Sequence, residues 1–275
     1  MHIARHTAVS ALFLCLIAGL AGCGYDNSPK PAPTPARGST PDVSGEWLFS
    51  AGASAASVPS LAAGLTDSAG TLTGTGTVYG CAATPQQTTL QGSVSSKGAL
   101  TLATAPLDGG AVLALSGQLS TDGKTVSAAA LTSTGQGCTA AQGQSVIGQV
   151  YTPEKGSYSG VFTGQDNVSV PVTGILSQSA VPGPGGSYTL SGSVSFPSSP
   201  CLATATIDSA LSTVTGGNLS ATYETTVDGQ TVTVTATGTA DAAAQNVTIT
   251  HWVIAGGECD GYGGTGSLTE SVAGQ

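Results

Sequence analysis

Four cysteines fall into two pairs of almost equal spacing: Cys81 and Cys138 are 57 residues apart, Cys201 and Cys259 are 58 apart. The repetition runs beyond them. Gly98-Ala99-Leu100 aligns with Gly217-Asn218-Leu219, Asp108-Gly109 with Asp228-Gly229, Val112 with Val232, Gly117 with Gly238, and Val126 with Val247. Upstream, Leu72-Thr73-Gly74 aligns with Leu190-Ser191-Gly192 and Ser44-Gly45 with Ser159-Gly160. The offset drifts only from 115 to 121 along the chain. A nearly constant offset with small insertions is what a duplicated module leaves behind. Chance matching in a Gly/Ser/Thr/Ala-rich chain is the alternative, and the ordered cysteines argue against it. The modules span residues 43–152 and 157–272, joined by Thr152-Pro153-Glu154-Lys155-Gly156.

Of the six cysteines, Cys15 and Cys23 lie in the amino-terminal segment outside both modules, and the duplication selects among the three pairings that the other four allow. One bridge per module, Cys81–Cys138 and Cys201–Cys259, respects the repeat. Closing a loop of that length stabilises by about 4 kcal/mol on the chain-entropy argument.

Within each module, short alternating runs are separated by glycine-rich turns. The first module reads as strands at 45–51, 70–80, 88–95, 99–105, 111–119, 124–133 and 145–152. The second reads as strands at 160–163, 168–177, 187–196, 203–208, 218–227, 231–239, 246–254 and 266–270. Thr231-Val232-Thr233-Val234-Thr235 has one apolar and one hydroxylated face, the period of a half-buried strand. Thr121-Asp122-Gly123 supplies a tight hairpin turn, because Asp-Gly tolerates positive φ. Only Ser54–Leu65 reads as a turn or two of helix. The expectation is an all-β protein of two tandem antiparallel meander barrels or sandwiches, each with one disulfide.

Gly45-Glu46-Trp47 resembles the Gly-x-Trp start of lipocalin-like barrels, which implies a barrel with Trp47 closing one end. The second module departs from it with Gly160-Val161-Phe162. Against an immunoglobulin-like sandwich, no tryptophan lies between Cys81 and Cys138, and no tyrosine stands two residues before either second cysteine.

The amino terminus carries an address. Arg5 precedes an apolar stretch from Ala8 to Leu20, the layout of an export signal and shorter than a membrane span of about 20 residues. It ends in Leu20-Ala21-Gly22-Cys23, which resembles the lipobox of bacterial lipoproteins. The resemblance implies removal of residues 1–22, lipidation of Cys23 and attachment to a membrane of the cell envelope. Gly24 in place of aspartate implies the outer membrane in a Gram-negative cell. Residues 23–42 form a tether in which Pro29, Pro31, Pro33 and Pro35 alternate and favour an extended chain.

Without the signal, five basic residues face fifteen acidic ones. Nucleic-acid affinity rests on lysine and arginine clusters, and this chain has none, so nucleic acid is not an expected partner. Only His251 remains as a histidine, no Gly-x-Ser-x-Gly elbow occurs, and His251 lies in an alternating strand. Gly261-Tyr262-Gly263-Gly264-Thr265-Gly266 fits a phosphate-loop pattern without the strand-to-helix context it needs, and reads as a loop after Cys259. Glu258 and Asp260 flank that cysteine as solvated acids. Glu46, Glu224 and Asp228 carry no local catalytic signature.

No catalytic residue, cofactor or metal is expected, and the chain reads as a binding or surface-interaction protein rather than an enzyme. The membrane is expected to be contacted through Cys23, and a small ligand or envelope protein is the remaining partner class. Trp47, Trp252 and Tyr262 are the candidate ligand contacts.

Overall fold

A computed structural model describes residues 40–51, 58–138, 144–227 and 229–271. The first module is a closed barrel of eight antiparallel strands in simple meander order. They are β1 (Gly45–Ser50), β2 (Ser60–Ser68), β3 (Thr71–Tyr79), β4 (Gln86–Val94), β5 (Ala99–Thr104), β6 (Val112–Leu119), β7 (Thr125–Thr134) and β8 (Gln144–Tyr151). Pairing of β1 with β8, from Glu46 opposite Tyr151 to Ser50 opposite Ile147, closes the cylinder and removes every sheet edge.

The second module repeats this plan. Its strands are β9 (Lys155–Gly164), β10 (Ser169–Gln178), β11 (Tyr188–Ser195), β12 (Ala205–Ile207), β13 (Thr213–Thr215), β14 (Asn218–Val227), β15 (Gln230–Ala240), β16 (Asn246–Ala255) and β17 (Gly263–Glu270). The two short strands β12 and β13 share one position, since both pair with β11 and with β14. With them counted as one stave, this too is an eight-stranded closed barrel. The interruption is bridged by a side chain: Ser212 Oγ accepts the Thr222 amide at 2.9 Å, standing in for a lost ladder bond.

The repeat maps strand onto strand. Leu72 and Leu190 fall on β3 and β11, Leu100 and Leu219 on β5 and β14, and Val126 and Val247 on β7 and β16, all in the cores. Gly117 and Gly238 each sit at a register shift. A Cβ at Gly117 would run into Val126 and one at Gly238 into the Thr248 carbonyl, so both bulges need the missing side chain. The disulfides join Cys81 to Cys138 and Cys201 to Cys259, one in each barrel. Each ties the β3–β4 or β11–β12 connection to the loop before the last strand.

Alternation explains most of the walls. On β15, Val232, Val234 and Ala236 point inward while Thr231, Thr235, Thr237 and Thr239 face solvent. The first interior has a stacked Trp47–Phe49 pair among aliphatic side chains. The second has a chain of aromatic contacts running from Tyr223 through Phe196 and Phe162 to Trp252 and Tyr262.

One expectation fails. Of the turn or two of helix expected at 54–65, residues 54–57 lie outside the described residues, and 60–65 are not helical but belong to β2, whose burial is continuous from Leu61 to Leu65. Its inner face packs in the barrel and its outer face is covered by the second barrel, so the alternation that marks a strand is absent. Two smaller differences follow the same logic of pairing. Gly263 and Gly264 enter β17 instead of remaining in a loop, because they pair with Val253 and Trp252. Strand β9 begins at Lys155, five residues earlier than the sequence pattern indicates, by pairing with β10.

Candidate functional site

The two barrels belong to one compact unit, and the best-defined polar constellation lies in the seam between them. The outer face of β1–β2–β3 supplies one wall. Thr75 and Thr77 donate their hydroxyls to the Gly183 and Gly185 carbonyls, at 2.8 and 2.7 Å, and the Gly186 amide returns a bond to Thr75 Oγ1 at 3.1 Å. These glycines belong to the β10–β11 loop, which includes a 3-10 turn at Pro184–Gly186. Side chains there would not fit: a Cβ on Gly64 would overlap Pro182, and one on Gly217 would overlap the Tyr151 ring.

Glu46 projects outward from β1 into this seam and is 2% exposed. Its Oε1 accepts the Gly217 amide at 2.9 Å and its Oε2 accepts the Gln178 side-chain amide at 2.6 Å. Gln178 ends β10 and turns its other amide atom to the connecting segment, accepting the Glu154 backbone amide at 3.0 Å. The Gln178 backbone amide in turn donates to the Glu154 carbonyl at 2.8 Å. Glu154 is the last residue before β9 and is 1% exposed. Its Oε2 lies 2.7 Å from the Tyr158 phenol oxygen, which lies 2.8 Å from the Ala244 carbonyl oxygen.

Both carboxyls are pushed above the ordinary glutamate range by burial. For Glu46 the Gly217 amide and the Gln178 side chain oppose the shift. For Glu154 burial dominates, Tyr158 opposes, and the charges of Glu46, Asp241 and Glu270 add to it, giving a value of about 7. Burial and the Glu154 carboxyl push the Tyr158 phenol up as well. Cations are scarce here: after Arg37 the chain has only Lys97, Lys124 and Lys155.

The residues singled out from sequence occupy different places. Trp47 is fully buried in the first barrel and donates its indole N–H to the Val43 carbonyl at 2.9 Å. Trp252 is buried in the second and donates to the Thr265 carbonyl at 3.0 Å. Tyr262 donates its hydroxyl to Asp166 at 2.6 Å on the rim. His251 lies exposed on β16, and Glu258, Asp260 and Glu224 are exposed. Asp260 accepts the Gly256 amide at 2.8 Å. Cys23, the signal and Asp228 lie outside the described residues. Among the described residues, no group of three or more His, Cys, Asp or Glu side chains is placed to hold a metal ion.

Of the seam residues, only Glu46 stands out in the sequence, and for another role; Glu154, Tyr158 and Gln178 carry no local signature there. The available signal was an acid in a short connection of a chain that is only 8% charged.

The second barrel encloses about 30 Å³, lined by apolar side chains such as Phe162, Leu190, Ile207 and Ile249. That is room on the scale of a water molecule or two. A larger depression of about 360 Å³ lies at the disulfide end, beside Cys201, Cys259, Val232 and Glu258. No protein-family model, curated protein or solved structure matches the chain at a significant level.

Proposed function

We propose that this protein is a non-catalytic lipoprotein of a bacterial cell envelope, held by lipid on Cys23 and presenting a fused pair of barrels for contact with another protein. The observation that carries the interaction reading is an asymmetry between the duplicated halves. The first barrel buries the outer face of β1–β2 against the second. The counterpart face, β9–β10, is uncovered: Val161 stands where Glu46 stands in the repeat and is 41% exposed, and Ile175 is 58% exposed. Pro171 lies opposite Val161, and Ser157, Ser159 and Thr173 surround them. This face, apolar at its centre, hydroxylated around it and charged only at its end by Lys155, fits a partner resembling the loop that covers its twin: uncharged and rich in proline and glycine.

The small apolar interior of the second barrel supports contact through outer faces over capture of a lipid or sugar inside it. Barrel closure leaves no free edge for strand addition, so side-chain contacts must supply the specificity. The anchor rests on the lipobox resemblance and on the energetics of acyl chains, about 0.8 kcal/mol per buried methylene. Among the described residues no helix is long and apolar enough to cross a membrane.

The test places a photoreactive residue at Ile175 in the full chain, cross-linked within intact envelopes. A discrete adduct that disappears on Val161→Asp, with none formed from a control position at Thr235, is the expected outcome. Absence of adducts, together with a stoichiometric small molecule in native mass spectra, would replace this reading with ligand binding.

A further inference from the structure

The phenol of Tyr158 has one hydrogen but two oxygen neighbours, Glu154 Oε2 at 2.7 Å and the Ala244 carbonyl at 2.8 Å. A carbonyl oxygen only accepts. If Glu154 were ionised, Tyr158 would satisfy one oxygen and oppose its lone pairs to the other at hydrogen-bonding distance. Both contacts are satisfied together only when Glu154 carries the hydrogen, donates it to Tyr158 Oη, and Tyr158 donates to Ala244. The backbone of Glu154 is meanwhile fixed from both sides by Gln178, and Gln178 also holds Glu46 of the first barrel.

We propose that Glu154 is protonated in the closed seam, and that losing this proton to solvent loosens the joint between the two barrels. Glu46, accepting two N–H donors, is the seam carboxylate that keeps its charge. Ionisation of Glu154 would add a second buried negative charge on the other side of Gln178 and take the Tyr158 hydrogen away from Ala244. Every charged group packed around Glu154 reinforces the effect, and only the Tyr158 hydroxyl opposes it. Glu46 from β1, Asp241 from the β15–β16 turn and Glu270 from β17 are all acidic, and Tyr158 from β9 is neutral. Lys155 follows in sequence, but its side chain is exposed. The raised carboxyl range of Glu154 agrees with this placement of the proton. The joint therefore holds in mild acid and weakens as pH rises through neutrality, which would make presentation of the β9–β10 face responsive to pH.

The experiment uses the full chain in detergent with ¹³C-labelled glutamate, and the Glu154 carboxyl carbon is assigned by its disappearance in Glu154→Gln. The glutamine variant keeps a donor toward Tyr158 and removes the charge. The expected titration midpoint is near 7, and a midpoint in the ordinary glutamate range near 4.5 would overturn the proposal.

Hydrogen exchange of the Gln178 and Gly217 amides, corrected for intrinsic base catalysis, should rise about tenfold between one unit below and one unit above the midpoint in the wild type. It should stay flat in Glu154→Gln. Equal exchange profiles in the two proteins would overturn the coupling to the joint even if the midpoint is high. Should the variant fail to fold, the wild-type midpoint and exchange profile still decide, because a flat profile contradicts the proposal.

Discussion

The Gln178 side-chain nitrogen lies 2.6 Å from Glu46 Oε2, a charge-assisted hydrogen bond that ties the end of β10 in one barrel to the start of β1 in the other. With its second amide atom on the Glu154 backbone, Gln178 makes the two barrels and their connection a single mechanical unit.

Gln178→Ala should therefore lower stability by roughly 1–3 kcal/mol, because it strips a donor from a buried carboxylate and an acceptor from a buried amide. Urea unfolding of the variant measures the loss. A change below a few tenths of a kcal/mol would mean that solvent reaches Glu46 in its place.

Stability should decline from mild acid toward neutrality. Glu154 has a raised folded-state value, about 7 against an ordinary 4.5, so the folded protein binds its proton more tightly than the unfolded chain. That contribution is complete below about pH 4.5 and lost as pH rises to about 7. It is on the order of 2–3 kcal/mol. Asp122, held low by Ser120 and the Lys124 amide, and Asp166, held low by the Tyr262 hydroxyl, act oppositely in stronger acid. Chemical denaturation across pH 3–8 should show a maximum in mild acid whose alkaline decline is shallower in Glu154→Gln, the remainder coming from Glu46, which burial also raises.

Ser212→Ala should cost about 1–3 kcal/mol, since the Thr222 amide on β14, beside the interrupted stave, would lose its acceptor. Ser212→Thr, which keeps the hydroxyl, separates this loss from a simple packing change. Equal destabilisation of both variants would refute the bridging role.

Replacing Cys201 and Cys259 by serine should destabilise the second barrel by about 4 kcal/mol, and replacing Cys81 and Cys138 should affect the first barrel by a similar amount, because the closed loops are nearly equal in length. Thermal unfolding of each double variant is the measurement. Markedly unequal losses would point to unequal strain or unequal residual structure in the unfolded halves.

Cys23→Ser should shift the protein from the membrane to the soluble envelope fraction, and labelled fatty acid should be incorporated by the wild type alone. Membrane retention of the serine variant would remove the lipid anchor from the proposal.

The sequence by itself determined the all-β class, the duplication and both disulfide pairings. These rest on local alternation, as in Thr231–Thr239, and on spacing, both of which survive in one dimension. It left barrel and sandwich open, because closure depends on β1 meeting β8 about a hundred residues away, a pairing with no local trace. Tertiary structure alone decided β2. Ala62 and Gly64 face outward yet are buried beneath the second barrel, so the outer face is as apolar as the inner face of Leu61, Ala63 and Leu65 and the period vanishes. The same burial created the site: Glu46 and Glu154 read as ordinary surface acids until two barrels close over them, and exclusion of water, not residue type, gives them their chemistry.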